Sequence, residues 1–290
     1  DYYERSAFAM MAGTDLECNE GYRDDYNYTN TVPQAVERGI KTETGTFTEN
    51  DVDTALLRLF TTRMMLGEFD DPQSVRWIAE ARQRVPQGTW TNSNNNNAIT
   101  QTPERLALAR EAAAKSIVLL KNEEITKKDG KVGKLLPIEV PTSGPFKVAV
   151  IGYFANPNSV NLGGYSAIQG SNANKNIVSP YNGIKNAIQA INPEAEVTYY
   201  KGFTDSGTSA ANLVNIDYAA VSAAADADLA IVYVSTDNGT SREDRDRTTI
   251  NLPGSQANLI KEVAIENPNT IAFIETVGQV DLTEFKDDVS

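Results

Sequence analysis

The 290-residue chain carries 39 acidic and 26 basic side chains, a net charge of −13, and no His. An acidic chain without a Lys/Arg cluster lacks the basic surface that displaces counterions from phosphate, so we expect no nucleic-acid partner. Without His, the chain cannot form Ser-His or Cys-His nucleophile systems or His-based metal sites, and acid/base chemistry falls to carboxylates, Lys or Tyr. We expect no metal or other cofactor. No apolar run approaches the ~20 residues that span a bilayer, so we expect no membrane partner.

The compartment stays open. Cys18 is the one cysteine, so no disulfide can form within the chain. It is either a small, semi-buried thiol or half of a disulfide with a cysteine elsewhere, and both cytoplasmic and secreted or periplasmic locations are compatible with it. The sequence opens at Asp1 without an initiator Met or a leader pattern. We therefore expect it to begin inside a longer protein.

The clearest helix of the first third follows Thr48. Thr48 is a cap residue, Asp51 stands three positions later as in a capping box, and Gly67 is placed to end the helix. Its apolar side chains recur at helical spacing: Val52, Leu56, Leu59, Phe60 and Met64. Such a stripe needs a covering surface, and little in the neighbouring sequence offers one. We expect it to pack on a later domain or to drive self-association into a homo-oligomer.

A change of composition follows. Residues 68–102 contain Pro72, Pro86, Gly88 and an Asn-rich run, which predict a linker. Thr102-Pro103 then begins a helix, with Thr as the cap and Pro at the first helical position. The residues predicted to form its buried face are Leu106, Ala109, Ala113, Ile117 and Leu120.

From residue 147 onward, apolar strands alternate with helices. The predicted strands are Lys147–Ile151, Val197–Tyr200, Leu229–Val234 and Thr270–Glu275. The predicted helices follow Ser179-Pro180, with Ile184, Ile188 and Ile191 inward, then run from Asp217 through Ala225 and over Ser255–Ile265. Continuous apolar strands separated by helices indicate an α/β fold with a doubly wound, mostly parallel sheet. Because about five or six strands are typical, the last elements of this domain are expected to lie beyond Ser290.

Ligands of open α/β sheets bind beyond the carboxyl ends of the strands. The loop after the third strand, residues 235–247, is long and charged, which fits either a functional edge or a solvated face. The loop after the first strand contains Gly163, Gly164 and Tyr165, which fit either a sugar-stacking site or a plain turn. No G-x-G-x-x-G follows Gly152, so a nucleotide site is disfavoured.

Several segments in collinear order resemble glycoside hydrolase family 3. They are Ala12–Leu16 (AGTDL), Arg58–Phe69 (RLFTTRMMLGEF), Lys115–Asn122 (KSIVLLKN), Leu135–Pro137 (LLP), Val148–Gly152, Asp226–Val234 (DADLAIVYV), the charged loop, and Asn251–Ile260 (NLPGSQANLI). The resemblance implies a TIM-like barrel followed by an α/β sandwich. It places a barrel remnant at residues 1–67, a linker at 68–102 and a C-terminally truncated sandwich at 103–290.

The same resemblance implies a retaining exo-β-glycosidase that removes sugars from non-reducing ends. Its acid/base would be Glu243, three residues before Asp246-Arg247; Asp244 is the rival, because the family often has Glu-Gly where this chain has Glu243-Asp244. Asp246 and Arg247 would pair to shape the loop. The family's nucleophile is a barrel Asp upstream of the segment that Ala12–Leu16 resembles, so Asp15 is not its counterpart.

Tyr165, Ser166 and Asp237 are the substrate-binding candidates under this resemblance. The expected substrate is a small oligosaccharide or an aryl or alkyl β-glycoside, and the expected partner is the remainder of the barrel. The Asp15–Cys18 sequence (DLEC) and the Asp237-Asn238 pair resemble the β-xylosidase branch more than typical β-glucosidases. The alternative is a non-catalytic carbohydrate-binding or docking module built on the same sandwich.

Overall fold

The computed structural model describes residues 1–18, 27–84, 102–156, 178–206 and 209–289. The chain divides into two compact units, residues 1–109 and 110–290. None of the described helices has the length and apolar character needed to cross a membrane. Part of the predicted linker, residues 68–102, is helical, because Arg76–Arg84 forms a helix there. The predicted domain boundaries stay predictions.

The N-terminal unit is built on helices α1 (Tyr2–Met11), α2 (Tyr28–Glu37), α3 (Glu49–Met65) and α4 (Arg76–Arg84). Strands β1 (Lys41–Thr42) and β2 (Gly45–Thr46) form a short antiparallel pair before α3. The core of the unit is small and joins α1, α2 and α3; its buried apolar residues are Ala7, Met10, Val32, Ala35, Phe47 and Ala55. A buried hydroxyl pair, Ser6 with Thr31 at 2.6 Å, links α1 to α2.

Helix α3 confirms the predicted caps, whereas the predicted packing of its stripe on a later domain or on a second copy stays a prediction. Thr48 and Asp51 form the capping box, and Gly67 has a φ of 73° just beyond the last turn. The predicted stripe is mostly uncovered, since Leu56, Phe60 and Met64 are exposed. The buried position of α3 is Ala55, which belongs to the small core that α3 shares with α1 and α2.

Helix α5 (Pro103–Ser116) begins where predicted, but its predicted face is not buried. The five residues expected inside are all exposed: Leu106, Ala109, Ala113, Ile117 and Leu120. Ile117 and Leu120 also lie beyond the end of the helix. The periodic apolar pattern therefore predicted the helix correctly but did not predict which surface covers it. An amphipathic pattern indicates that one face is apolar and does not indicate the element that packs against it.

The C-terminal unit contains a small hairpin, β3 (Ile125–Thr126) with β4 (Val132–Gly133), and a parallel sheet. The sheet strands are β5 (Lys147–Ile151), β6 (Glu196–Tyr200), β7 (Leu229–Ser235) and β8 (Thr270–Glu275), in the order β6-β5-β7-β8. All neighbouring strands are parallel, and every residue of β7 is buried. The predicted α/β class with a parallel sheet is confirmed.

Helices α6 (Pro180–Ile191), α7 (Tyr218–Asp226) and α8 (Gln256–Glu266) connect these strands. Ser179 and Asp217 cap α6 and α7 as predicted, accepting from the amides of Asn182 and Ala219. In α6, Ile188 is buried and Ile184 partly so, whereas Ile191 is exposed because it is the last helical residue. Helices α7 and α8 contact each other, and both pack against strands of the sheet. The general right-handedness of parallel crossovers puts them on one face and α6 on the other.

Candidate functional site

The candidate site lies at the carboxyl ends of β5 and β7. The chain leaves β5 towards β6 on one side and later adds β7 on the other, so the strand order reverses here. Open α/β sheets bind ligands at such switch points. Gly152 begins the exit from β5 with a φ of 143°, and a Cβ there would lie 1.9 Å from the carbonyl oxygen of Tyr233. Only glycine permits this close approach of the two strand ends.

Asp237 anchors the first half of the charged loop that follows β7. Its side chain is 7% exposed. One carboxylate oxygen accepts from the amide of Ala210 at 3.0 Å, and the other accepts from the amide and the hydroxyl of Thr240 at 3.1 and 3.0 Å. The carboxylate of Asp237, predicted to bind substrate, therefore accepts hydrogen bonds from Ala210 and Thr240 of its own chain. These bonds fix the position at which the charged loop begins.

Glu243 lies at the tip of a tight turn. The backbone of Arg242 and that of Arg245 exchange hydrogen bonds of 3.0 and 2.9 Å, which places Glu243 and Asp244 at the two central positions. Asp244 has a φ of 65°, and Glu243 is not among the residues with positive φ. That combination is the signature of a type II turn, whose second central position favours glycine and tolerates Asp or Asn. Both carboxyl side chains are exposed.

Arg247 anchors the second half of the loop, although not as predicted. Within the described residues it forms no ion pair with Asp246; its Nη2 donates to the carbonyl oxygen of Gln279 at 2.7 Å. The guanidinium predicted to pair with Asp246 is instead held by a backbone carbonyl 32 positions further along the chain. The loop is therefore tied to the segment that follows β8.

Gln256 supports the site and was missed as a functional residue. It is 1% exposed; its Oε1 accepts from the amide of Ser235 at 2.9 Å and its Nε2 donates to the carbonyl oxygen of Ser235 at 2.9 Å. Its Nε2 also donates to the carbonyl oxygen of Pro253. This side chain thus continues the ladder at the end of β7. The NLPGSQ sequence, noted only for its resemblance, was the available signal.

A buried tyrosine and a glutamate meet beside the candidate site. The hydroxyl of Tyr233 donates to Oε2 of Glu275, and the Tyr233 ring stacks on Phe273 with centroids 5.1 Å apart. Burial, followed by the hydrogen bond to Glu275, raises the pKa of Tyr233. The phenol stays neutral and acts as a donor, which excludes it as a base near neutral pH.

The other predicted substrate residues, Tyr165 and Ser166, lie outside the described residues. In the part of the chain that the structure describes, no group of three or more His, Cys, Asp or Glu side chains could hold a metal ion. Cys18 is exposed. The chemistry available at the described edge of the sheet is therefore that of carboxylates, guanidinium groups and backbone amides.

Comparison with known proteins gives consistent matches. The model of the glycosyl hydrolase family 3 C-terminal domain matches residues 117–290. A protein of Aspergillus fumigatus named "Probable exo-1,4-beta-xylosidase" is 30% identical over 281 residues, which are 96% of this chain and 29% of that protein. The chain thus spans less than a third of the relative's length.

Solved structures share the fold. A beta-glucosidase from Listeria innocua in complex with isofagomine superposes with a TM-score of 0.66 at 22% identity, over 100% of this chain and 33% of that one. A family 3 exo-beta-xylosidase in complex with a xylobiose aziridine probe gives a TM-score of 0.62 at 23% identity, over 99% of this chain and 30% of that one.

Proposed function

This chain belongs to glycosyl hydrolase family 3, and on that premise we propose that it supplies the acid/base of a retaining, exo-acting β-glycosidase. A retaining enzyme needs two carboxyl groups about 5–5.5 Å apart, one as nucleophile and one as general acid and then base. The observation that carries the proposal is Glu243, held at the tip of a tight turn beyond the carboxyl end of the parallel sheet. Glu243 would protonate the departing glycosidic oxygen and then activate water.

The backbone favours Glu243 over Asp244 for this role. Asp244 occupies the turn position with a φ of 65°, where glycine is the least strained residue. The Glu-Gly pair of many family members fits this turn without strain. Asp244 therefore takes the place of a conformational glycine, and the departure at this position leaves the proposed role of Glu243 intact.

The nucleophile is proposed to lie on a barrel outside these 290 residues. Asp15 is a poor candidate because Arg58 binds it bidentately, with Arg58 Nη2 2.6 Å from Oδ1 and Nε 2.9 Å from Oδ2. The hydrogen bonds from Arg58 lower the pKa of Asp15. This pairing fixes the end of a loop to α3, which is a structural use of the carboxylate.

We propose a β-xyloside or β-glucoside of small size as the substrate. The curated relatives are named exo-1,4-beta-xylosidases, and the structural neighbours include beta-glucosidases and the xylosidase with a xylobiose-derived probe. The proposed partner is the remaining barrel of the same protein. The 290-residue chain alone, which would hold one of the two carboxyl groups, is expected to show no turnover of nitrophenyl xyloside or glucoside.

The full-length protein tests the assignment with an isosteric pair of variants, Glu243→Gln and Asp244→Asn. General acid catalysis contributes roughly 10²–10⁴-fold, and leaving groups of high pKa need it most. Glu243→Gln should lower kcat/KM by about that factor for an alkyl β-glycoside and far less for an activated aryl β-glycoside. Asp244→Asn, which tolerates the positive φ, should leave both rates near those of the unaltered protein.

Two results would overturn this assignment. Equal losses for both leaving groups in Glu243→Gln would remove the acid/base role from Glu243. A leaving-group-dependent loss in Asp244→Asn, with little change in Glu243→Gln, would transfer the role to Asp244.

A further inference from the structure

We propose that Arg247 is a positioning residue for the acid/base, acting through the segment that follows β8. This segment, residues 276–284, is named the exit segment. The inference rests on the proposed function of Glu243 and adds the structural element that holds Glu243 in place. The roles proposed above for Glu243 and Asp244 stay unchanged.

Hydrogen bonds join the exit segment to the end of the charged loop and to the residues that follow it. Besides Arg247 Nη2 to the Gln279 carbonyl oxygen at 2.7 Å, the amide of Asp281 donates to the carbonyl oxygen of Ile250 at 2.9 Å. The side chain of Asn251 donates to Glu284 Oε1 at 3.1 Å. Of these contacts, the one made by Arg247 is nearest in sequence to Glu243.

The two ends of the loop are thus held by different elements. Asp237 ties the first end to Ala210, and Arg247 ties the second end to the exit segment. The turn that carries Glu243 lies between them. Strands β7 and β8 are neighbours, and the amide of Thr236 donates to the carbonyl oxygen of Glu275 at 3.1 Å, so loop and exit segment start from adjacent points. A shift of the exit segment would therefore reach Glu243 through Arg247.

The surroundings of the guanidinium fit a positional role. A Cβ at Gly278 would lie 2.9 Å from Arg247 Nη2, so the guanidinium fits closely against this glycine. Together with the hydrogen bond to the Gln279 carbonyl oxygen, this contact leaves the guanidinium little room to shift relative to the exit segment.

The test uses the full-length protein with Arg247→Met, Arg247→Lys and a charge control, Lys286→Met. Lys286 pairs with Asp287 just beyond the exit segment, and in the part of the chain that the structure describes its side chain makes no hydrogen bond with the charged loop. A misplacement of about 1 Å can cost on the order of 10²-fold in rate. Arg247→Met should lower kcat/KM by roughly 10–100-fold for an alkyl β-glycoside and less than about 3-fold for an activated aryl glycoside.

Arg247→Lys should recover part of the loss, because an ammonium group can still donate to the Gln279 carbonyl oxygen. Lys286→Met should leave both rates unchanged. Gly278→Ala provides a second route if Arg247→Met does not fold, because it displaces the guanidinium without removing its charge. It should show the same dependence on the leaving group, with a smaller loss.

The outcomes separate the inference from the proposed function. If Glu243→Gln shows the leaving-group dependence and neither Arg247→Met nor Gly278→Ala does, the inference is overturned and the acid/base role stands. Equal loss on both substrates in Arg247→Met, in step with a lowered Tm, also overturns it, because a purely structural residue behaves in that way. If Glu243→Gln itself shows no such dependence, the proposed function fails and the inference fails with it.

Discussion

The two units of the chain bury their apolar residues to very different extents. In the C-terminal unit, every residue of β7 is buried, and β5 and α8 pack around it in one continuous core. In the N-terminal unit, the 17-residue helix α3 has Ala55 as its one buried residue. A parallel strand finds its cover within the same unit, from the neighbouring strands and the connecting helices. The apolar face of an amphipathic helix is buried only where another element packs against it.

The exposed side chains of the N-terminal unit follow from this difference. Leu57, Met65 and Phe69 are 69%, 78% and 55% exposed. The apolar clusters of the two units also differ in size, since the cluster around the sheet draws on residues from Val148 to Phe285, whereas the other joins parts of three helices and one loop residue. Substitutions in the two units should therefore have unequal consequences.

The largest expected difference in the free energy of unfolding is between alanine substitutions at two glycines that have nearly the same φ. Gly152 and Gly45 have φ values of 143° and 144°, but a Cβ at 152 would meet the Tyr233 carbonyl oxygen at 1.9 Å, and one at 45 would meet nothing within 4 Å. Gly45→Ala should cost about 1–3 kcal/mol from backbone strain alone. Gly152→Ala adds overpacking against backbone and should cost roughly 2–6 kcal/mol.

The free energy of unfolding of each unit can be followed separately. Trp77 lies in helix α4 of the N-terminal unit, so its fluorescence reports on that unit. Hydrogen exchange of β7 peptides, measured by mass spectrometry, reports on the sheet. Equal costs for Gly45→Ala and Gly152→Ala would mean that the strand ends can separate, and that the close contact of β5 with β7 does not define the site.

A second pair of variants compares core with surface. Leu259 in α8 is 0% exposed, whereas Leu57 in α3 is 69% exposed. Leu259→Ala should lower the free energy of unfolding by about 2–5 kcal/mol, because it removes buried methylene groups and leaves a cavity. Leu57→Ala should change it by less than about 0.5 kcal/mol. Denaturant titrations of both variants test this, and a cost above about 2 kcal/mol for Leu57→Ala would show that this surface is covered in solution.

The sequence predicted the elements of the fold more reliably than their burial. The caps at Thr48, Ser179 and Asp217 are local signals, because the capping atoms lie within three residues of each other. The strands from Lys147 to Glu275 were also predicted, since their apolar runs are continuous. The burial predicted for α5 was wrong because helical spacing indicates a face and carries no information about its partner.

In the site, residue types were predictable but contacts were not. The charged loop after β7 could be recognised from its position at the end of a buried strand. Arg247 was expected to pair with its neighbour Asp246, and its contact with Gln279 depends on a segment 32 positions away. Asp237, predicted as a substrate ligand, makes its contacts with Ala210 and Thr240. Such partners follow from the strand order, which the sequence alone does not supply.

The smallest expected effect on stability separates two partly exposed aspartates, one in each unit. The backbone amide of Asn215 is the main cause of the lowered pKa of Asp205, whereas the guanidinium of Arg58 is the main cause for Asp15. Both folded-state pKa values lie below the ordinary value of 3.8. Each carboxylate therefore stabilises its unit above that pH and ceases to do so as the pH falls through its folded-state pKa. Asp205→Asn and Asp15→Asn should each lower the free energy of unfolding at neutral pH. This loss should disappear when the pH falls below the folded-state pKa of the aspartate that was replaced.

Salt should separate the two aspartates at neutral pH. A partly exposed ion pair such as Asp15 with Arg58 is screened as the Debye length falls from about 10 Å at 0.1 M to about 3 Å at 1 M salt. A carboxylate bound by backbone amides depends less on salt. The effect of Asp15→Asn on denaturation midpoints should shrink at high salt and that of Asp205→Asn should persist. Equal salt sensitivity would mean that both carboxylates act mainly through long-range charge, and that the fixed amides of the loop after β6 contribute little.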